Sequence, residues 1–213
     1  MGFCEINNRK QGMERMNEQK LNVKDMITVG IFAAIMIVVK TIVGFIGVVP
    51  FLCAVLPAVT ALVLAPIYVL FVSKVEKFGM ITMLTSVLGL VFSLAGYGWQ
   101  TFVGCIVIGL LADIITKKGD YCNKKLISLG YSVFSLWGIT LFIIIWMMGD
   151  AYFQDLTVSM GAEFSQAFEA LVPWWSVFWL GALTFVCGLI GVTFGMKFMK
   201  KHFNRNGEMD RWN

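Results

Sequence analysis

Six stretches of this chain are apolar for long enough to cross a lipid bilayer, and this limits its fold more than any other feature. About 30 Å of hydrocarbon requires roughly 17–25 residues of helix. Runs of that length occupy residues 26–49, 51–72, 78–95, 99–116, 126–148 and 174–198. The sequence therefore predicts an all-α fold, a polytopic membrane bundle of six transmembrane helices. Composition agrees, with 58% hydrophobic and 14% charged residues, where a soluble domain is about half apolar and a quarter charged. The 213 residues leave no room for a sizeable soluble domain beside six helices. The expected division is an N-terminal tail over 1–25, a membrane domain over 26–198 containing a long connection at 149–173, and a C-terminal tail over 199–213. The first run is not a signal peptide, because the polar stretch before it is too long and no small-residue cleavage site follows.

Basic residues orient the bundle. Sixteen of the 17 Lys and Arg fall in the N-terminal tail, Ser73–Lys77, Lys117–Lys125 or the stretch from Lys197 onward. The connections near Pro50, at Gly96–Gly98 and across Gly149–Pro173 carry none. These two sets alternate as six crossings require. Cytoplasmic loops concentrate Lys and Arg, so both termini are expected in the cytoplasm, with the protein multi-pass in the cell membrane. The outer connection at 149–173 is acidic, with Asp150, Asp155, Glu163 and Glu169. The formal charge of +4 is thus a topology signal, with lysines facing anionic lipid headgroups, and no nucleic-acid partner is implied.

Cysteine usage fits this orientation. Cys4 and Cys122 fall on the cytoplasmic side, and Cys53, Cys105 and Cys187 within helices, so no extracellular disulfide framework is expected. No CxxC or zinc spacing occurs, and the one histidine, His202, lies in the basic C-terminal tail. Neither a metal nor a cofactor is expected.

The first helix carries two informative features. Gly30-Ile-Phe-Ala-Ala34 sets small residues four apart at its cytoplasmic end, with Ile37 and Thr41 continuing the face. That spacing lets another backbone approach closely, either within the bundle or in a partner protein. Similar spacings recur at Ala54/Ala58, Ala61/Ala65 and Gly191/Gly195. Lys40 is the second feature, the one basic side chain inside the hydrocarbon. It lies about 14 residues, or roughly 21 Å, past the helix start and hence in the outer half. A lysine there costs about 2.5–3.5 kcal/mol on insertion scales and usually faces a cavity or a partner. Its stem could also snorkel to the outer headgroups. The functional expectation is that Lys40 binds an anionic group or pairs with an acidic side chain of the outer connection.

Aromatic residues gather on that same side. Trp99, Trp146, Trp174, Trp175 and Trp179 lie at or near outer helix ends, with Tyr97 and Tyr152. Each one singly fits an interfacial belt. Together with Lys40 and Asp150 beneath a long connection, they suggest a pocket for a planar or amphipathic small molecule. In that connection, Phe164, Phe168 and Leu171 recur at helical spacing, predicting a short amphipathic helix over 162–171 that either lies in the interface or closes over the pocket. The stripe of Thr82, Ser86, Gly89 and Ser93 in the third helix reads as an interhelical face. Asp113 stands four residues before Lys117, where an i,i+4 ion pair is expected.

Several ordered segments carry a family resemblance. They are Val23-Lys-Asp-Met-Ile-Thr-Val-Gly-Ile-Phe-Ala-Ala34, Ala65-Pro-Ile-Tyr-Val-Leu-Phe-Val-Ser-Lys-Val-Glu-Lys77, Gly109-Leu-Leu-Ala-Asp-Ile114, Lys118-Gly-Asp-Tyr121 and Tyr131-Ser-Val-Phe-Ser-Leu136. As an ordered set they resemble the Trep_Strep family, grouped with the substrate-binding S components of energy-coupling factor (ECF) transporters. The resemblance spans about 23–153. It implies a subunit of an ABC importer that captures a micronutrient from outside. Such a subunit docks onto a transmembrane coupling protein carrying two cytoplasmic ATPases, with small residues of the first helix, here Gly30 and Ala34, at the docking face. The pocket would lie in the outer half, where Lys40 and the aromatic rim fall. Anionic vitamin-like compounds and tetrapyrroles are the candidate substrates. The chain has no GxxxxGK[ST] loop and so does not itself use ATP in the usual way. Two other classes stay open. One is a non-transporting accessory subunit. The other is an intramembrane enzyme using Asp113, Glu163 or Glu169 as acids, against which stands the absence of HExxH or any other paired signature; the chain is expected not to be an enzyme.

Overall fold

A computed structural model of the protein describes residues 22–121 and 123–203. The expected N-terminal tail up to residue 21, Cys4, Cys122 and the C-terminal tail beyond residue 203 lie outside the described residues, as does the His202 side chain.

Among the described residues the elements are helices. The first crossing is α1 (Val23–Gly44), which tightens into a 3-10 turn over Phe45–Val48. Next comes α2 (Pro50–Lys74), and then α3 (Met80–Phe92), which runs into a π turn over Ser93–Tyr97. α4 spans Trp99–Lys117. The fifth crossing consists of three pieces, α5 (Lys124–Ser135), α6 (Trp137–Thr140) and α7 (Ile143–Met148). Two shorter helices follow, α8 (Asp150–Met160) and α9 (Ala162–Leu171), before α10 (Ser176–Phe203). Six spans are long and apolar enough to cross a bilayer, as the hydropathy pattern predicts. Successive crossings alternate in direction. One end of the bundle therefore collects Lys74, Lys77, Lys117, Lys118, Lys124 and Lys125, and is here called the basic end; the other carries the tryptophans and is called the aromatic end.

The expected helix at 162–171 is present as α9 with those limits. Two features differ from expectation. The fifth crossing is not continuous, and the connection at 149–173 contains a second helix, α8, framed by Gly149 (φ 53°) and Gly161 (φ 92°). Those backbone conformations cost a side-chain-bearing residue energy but cost glycine little, so each glycine permits a sharp change of direction.

Small residues bring the helices together, as expected in lipid. α2 packs along α10, where a Cβ added to Gly191 would meet the Ala61 carbonyl and Ala65 Cβ at 3.1 Å, and one on Gly195 would meet Pro66 at 3.2 Å. The small spacings at Ala61/Ala65 and Gly191/Gly195 are therefore used against each other. α3 packs along α4 through Gly89, where an added Cβ would fall 2.6 Å from that of Cys105, and through Gly109, which abuts the Thr85 hydroxyl and the Thr82 Cα. The polar stripe of α3 is thus an interhelical face. Pro57 and Pro66 interrupt the hydrogen-bond ladder of α2. Near the second of them, the Tyr131 hydroxyl donates to the Ala61 carbonyl across the bundle. Tyr131 stacks with Tyr68 and Phe134 in a buried ring cluster, with Tyr68 centroids 4.8 and 4.7 Å from the other two.

This packing gives a direct expectation. The Thr85 hydroxyl is tied to the carbonyls of Ile81 and Thr82 at 3.0 and 2.9 Å, so it cannot swing away freely from a methyl group placed on Gly109. Gly109→Ala should destabilise by about 1–3 kcal/mol, the range for overpacking a close contact. Gly181→Ala, with nothing within 4 Å of its added Cβ, should be neutral or slightly stabilising. Thermal unfolding in detergent followed by circular dichroism measures both.

Candidate functional site

At the basic end the carboxylate of Asp113 does structural work. It is fully buried and accepts hydrogen bonds from the Gly79 N–H at 2.7 Å and from the Thr82 N–H and hydroxyl at 3.3 and 3.1 Å. Its other oxygen accepts from the Tyr121 hydroxyl at 3.3 Å. Gly79 is the cap position of α3, has φ 92°, and has no side chain to satisfy the first turn. Asp113 supplies that cap from the neighbouring helix and places negative charge at the positive end of the α3 dipole. Tyr121 and its neighbour Asp120 both have positive φ, uncommon for side-chain-bearing residues, and the bond to Asp113 holds that turn. Burial, followed by the Asp113 carboxylate, holds the Tyr121 hydroxyl well above its usual pKa, so it remains a donor. The expected Asp113–Lys117 ion pair does not form. The Lys117 ammonium lies 4.4 Å from the Phe78 ring centre instead, because Asp113 points inward to α3. A second tether at this end joins Lys77 to Asp25, in the first turn of α1, at 2.6 Å.

At the aromatic end Lys40 is the focus. The buried stripe of α1 is Val29, Phe32, Ala33, Met36, Lys40 and Val43, so Lys40 continues the face packed against the bundle and is 7% exposed. Its ammonium lies 5.1 Å from the Trp137 ring centre and 5.3 Å from that of Phe92. Cys53 on α2 and Cys105 on α4 are within electrostatic reach. Burial and the inward face exclude snorkelling. The alternative pairing with an acidic side chain of the 149–173 connection is also absent: Lys40 makes no ion pair or hydrogen bond among the described residues, while Asp150 and Asp155 are exposed. Two cation–π contacts contribute about 2 kcal/mol each when desolvated. They offset much of the insertion cost but leave the three ammonium protons without acceptors.

Backbone irregularity surrounds this lysine. α1 tightens just beyond it, α3 ends in a π turn with Gly96 at φ 103°, and the fifth crossing breaks on either side of α6, which carries Trp137. The Thr101 hydroxyl reaches the Thr140 carbonyl there at 3.4 Å, and Cys105 approaches the Thr140 hydroxyl at 3.6 Å. Around α6 the residues keep helical φ/ψ and exchange the α-helical pattern for i→i−3 bonds, and short stretches of this kind within helices often mark functional positions.

An open cleft of about 330 Å³ lies at the aromatic end, lined by Gly96, Ile144, Met148, Tyr152, Asp155 and Ser159 among others. Gly96 precedes Tyr97, whose ring meets Phe92 edge-on at 5.9 Å, and Phe92 lies under the Lys40 ammonium. Lys40, Phe92 and Tyr97 are not part of the cleft lining, so cleft and lysine are neighbours at this end of the bundle, separated by the Phe92 and Tyr97 rings. Tyr152 is half-buried, and burial, reinforced by Cys53 and Tyr97, pushes its hydroxyl up to about 12, so it faces the cleft as a neutral phenol. α8 forms one wall of the cleft yet buries none of its own residues. α9 is anchored through Phe168, 2% exposed and in contact with Phe142.

Of the residues singled out in the sequence, Tyr152 lines the cleft, while Lys40 and Tyr97 each contact the Phe92 ring. Trp146 is half-buried and donates to the Val172 carbonyl at 3.2 Å, holding the connection against α7. Trp99, Trp174 and Trp175 are exposed, as an interfacial belt requires, and Asp150 is exposed at the start of α8. The aromatic side chains nearest Lys40 are Phe92 and Trp137, which the rim-based reading missed. Trp137 lay far from either end of its apolar run, and a tryptophan in mid-membrane needs a buried neighbour for its polar edge or face. Gly30 and Ala34 point away from the bundle, and a Cβ added to Gly30 meets nothing within 4 Å.

A six-helix bundle with a buried lysine among broken helices defines an integral membrane protein of the multi-pass type. A family model described as "Hypothetical bacterial integral membrane protein (Trep_Strep)" matches residues 23–205, and the chain belongs to that family. Neither a curated protein nor a solved structure matches it.

Proposed function

We propose that this protein is the substrate-binding subunit of an ECF-type ABC importer, without catalytic activity of its own. It takes up a small anionic nutrient at Lys40 and hands it on with the help of a coupling protein and two ATPases. The observation that carries this reading is a buried ammonium with two aromatic faces and no carboxylate among the described residues. A lysine held at that cost in the membrane is a functional site by default, and an incoming anion supplies the missing acceptor. The basic end faces the cytoplasm in this scheme, following the distribution of lysines, so the cleft and α8 face outward, where substrate arrives. Gly30 and Ala34, smooth and unpacked, form the contact with the coupling protein.

Native mass spectrometry of the purified protein should reveal a bound small molecule. In Lys40→Met, the fold should persist while retention of that molecule falls at least tenfold, about 1.4 kcal/mol or more. Equal retention by the mutant would remove Lys40 from the site. Orientation has its own check. A cysteine at Ser159 should react with an impermeant maleimide added to intact cells, and one at Ser73 should react only after permeabilisation. The reverse pattern would place the cleft on the wrong side for uptake.

A further inference from the structure

Charge balance around Lys40 narrows the substrate class. Lys40 is the one Lys or Arg between Lys24 and Lys74, and none lies between Lys77 and Lys117 or between Lys125 and Lys197. Among the described residues, the aromatic half of the bundle therefore contains a single cation. Its ammonium is already covered on two sides by Phe92 and Trp137, whose ring centres are 5.6 Å apart at 43°. The two rings restrict access to the ammonium, and its single charge matches one anionic group. The charged side chain of the neighbouring cleft is Asp155, so that side of the bundle adds negative charge and no further cation.

We propose that the ligand is a monocarboxylate carried on a flat, aromatic-sized body, with the carboxylate at Lys40 and the body among Phe92, Tyr97 and Tyr152. This rests on the binding-subunit reading above and specifies what that site accepts. A pyrophosphate, a phosphate monoester or a dicarboxylate would bring a buried charge that nothing in this half neutralises, and buried unpaired charge is strongly disfavoured. A flat body suits the walls because aromatic faces pair with offset or edge-on rings at centroid distances of about 4.5–7 Å. A fatty acid would present the same carboxylate from a lipid source, and a flexible chain forfeits that ring pairing.

The test is isothermal titration of the detergent-purified protein, and of Lys40→Met, with naphthoate, naphthamide, naphthalene dicarboxylate, naphthyl phosphate and decanoate. Naphthoate should bind at least tenfold more tightly than each of the others, and Lys40→Met should erase its advantage over naphthamide. Equal or tighter binding of the dicarboxylate or the phosphate overturns the single-charge assignment. Tighter binding of decanoate overturns the flat body in favour of a lipid-derived acid. No heat from any probe up to about 1 mM, the limit of weak binding, overturns the ligand class as a whole. Co-purification with a coupling protein and ATPases is measured separately, so the importer reading and the ligand class can fail independently.

Discussion

Asp113→Ala is expected to loosen the basic end of the bundle more than any other single substitution there, by about 3–5 kcal/mol. One carboxylate in this protein accepts four hydrogen bonds, three of them at the start of α3 and one from Tyr121. Removing it strands the Gly79 and Thr82 N–H groups at a helix start that has no cap of its own. A buried donor left unsatisfied costs about 1–3 kcal/mol. It also frees the turn at Asp120 and Tyr121, whose positive φ values hold strain only while the surroundings impose them. Asp113→Asn should be milder, about 1–2 kcal/mol, because an amide oxygen can still serve α3 while its NH2 group donates to the Tyr121 oxygen. What it loses is the charge at the helix N-terminus. Thermal unfolding in detergent should therefore rank wild type above Asn above Ala, and trypsin should cut the Ala variant faster at Lys74 or Lys77. Equal stability for Ala and wild type would mean that water replaces the carboxylate at no cost. Ligand retention at Lys40, at the opposite end, should change little in the Asn variant.

Helices were legible in this sequence wherever apolar length alone determined them, and unreadable wherever a polar group decided the geometry. The six crossings followed from hydrophobic runs, and α9 from three apolar residues at helical spacing. Lys40 was found because a lone cation in an apolar run is conspicuous. Its side-chain environment was not, because Phe92 and Trp137 come from other crossings and nothing local links them to residue 40. The break around α6 was hidden for a related reason. Its residues, Trp-Gly-Ile-Thr, are apolar enough to pass as uninterrupted helix, while Gly138 sits against Pro57 of α2 with 3.3 Å available to an added Cβ. Tertiary contact sets the backbone at that point. Asp113 was misread because a four-residue spacing to Lys117 offers a local partner. The uncapped start of α3, distant in sequence, makes the stronger demand on a carboxylate. Small-residue spacing was ambiguous in principle: identical patterns at Ala61/Ala65 and Gly30/Ala34 end up buried in one case and exposed in the other.

That last contrast leads to the other large effect, expected of the double variant Gly30→Leu, Ala34→Leu. Both positions face away from the bundle, and Gly30 has open space where its Cβ would be. Among the described residues nothing stands within 4 Å of a Cβ on Gly30 and Ala34 is exposed, and replacing a mid-helix glycine improves helix propensity by about 0.8 kcal/mol. Thermal stability and ligand retention should therefore equal wild type. Association with a membrane partner is another matter. Helices in lipid lack a hydrophobic drive to associate and rely on close backbone approach, so two bulky side chains on the contact line should hold the partner off. On the proposed function, the variant should fail to co-purify with the coupling protein and ATPases, and nutrient uptake by cells should fall to background. Loss of folding or of ligand would mean that the strip packs within the protein after all. Full co-purification and uptake would remove α1 as the contact face. The comparable strips on α2 and α10 could not take its place, since Ala61, Ala65, Gly191 and Gly195 are already pressed against one another or against Pro66.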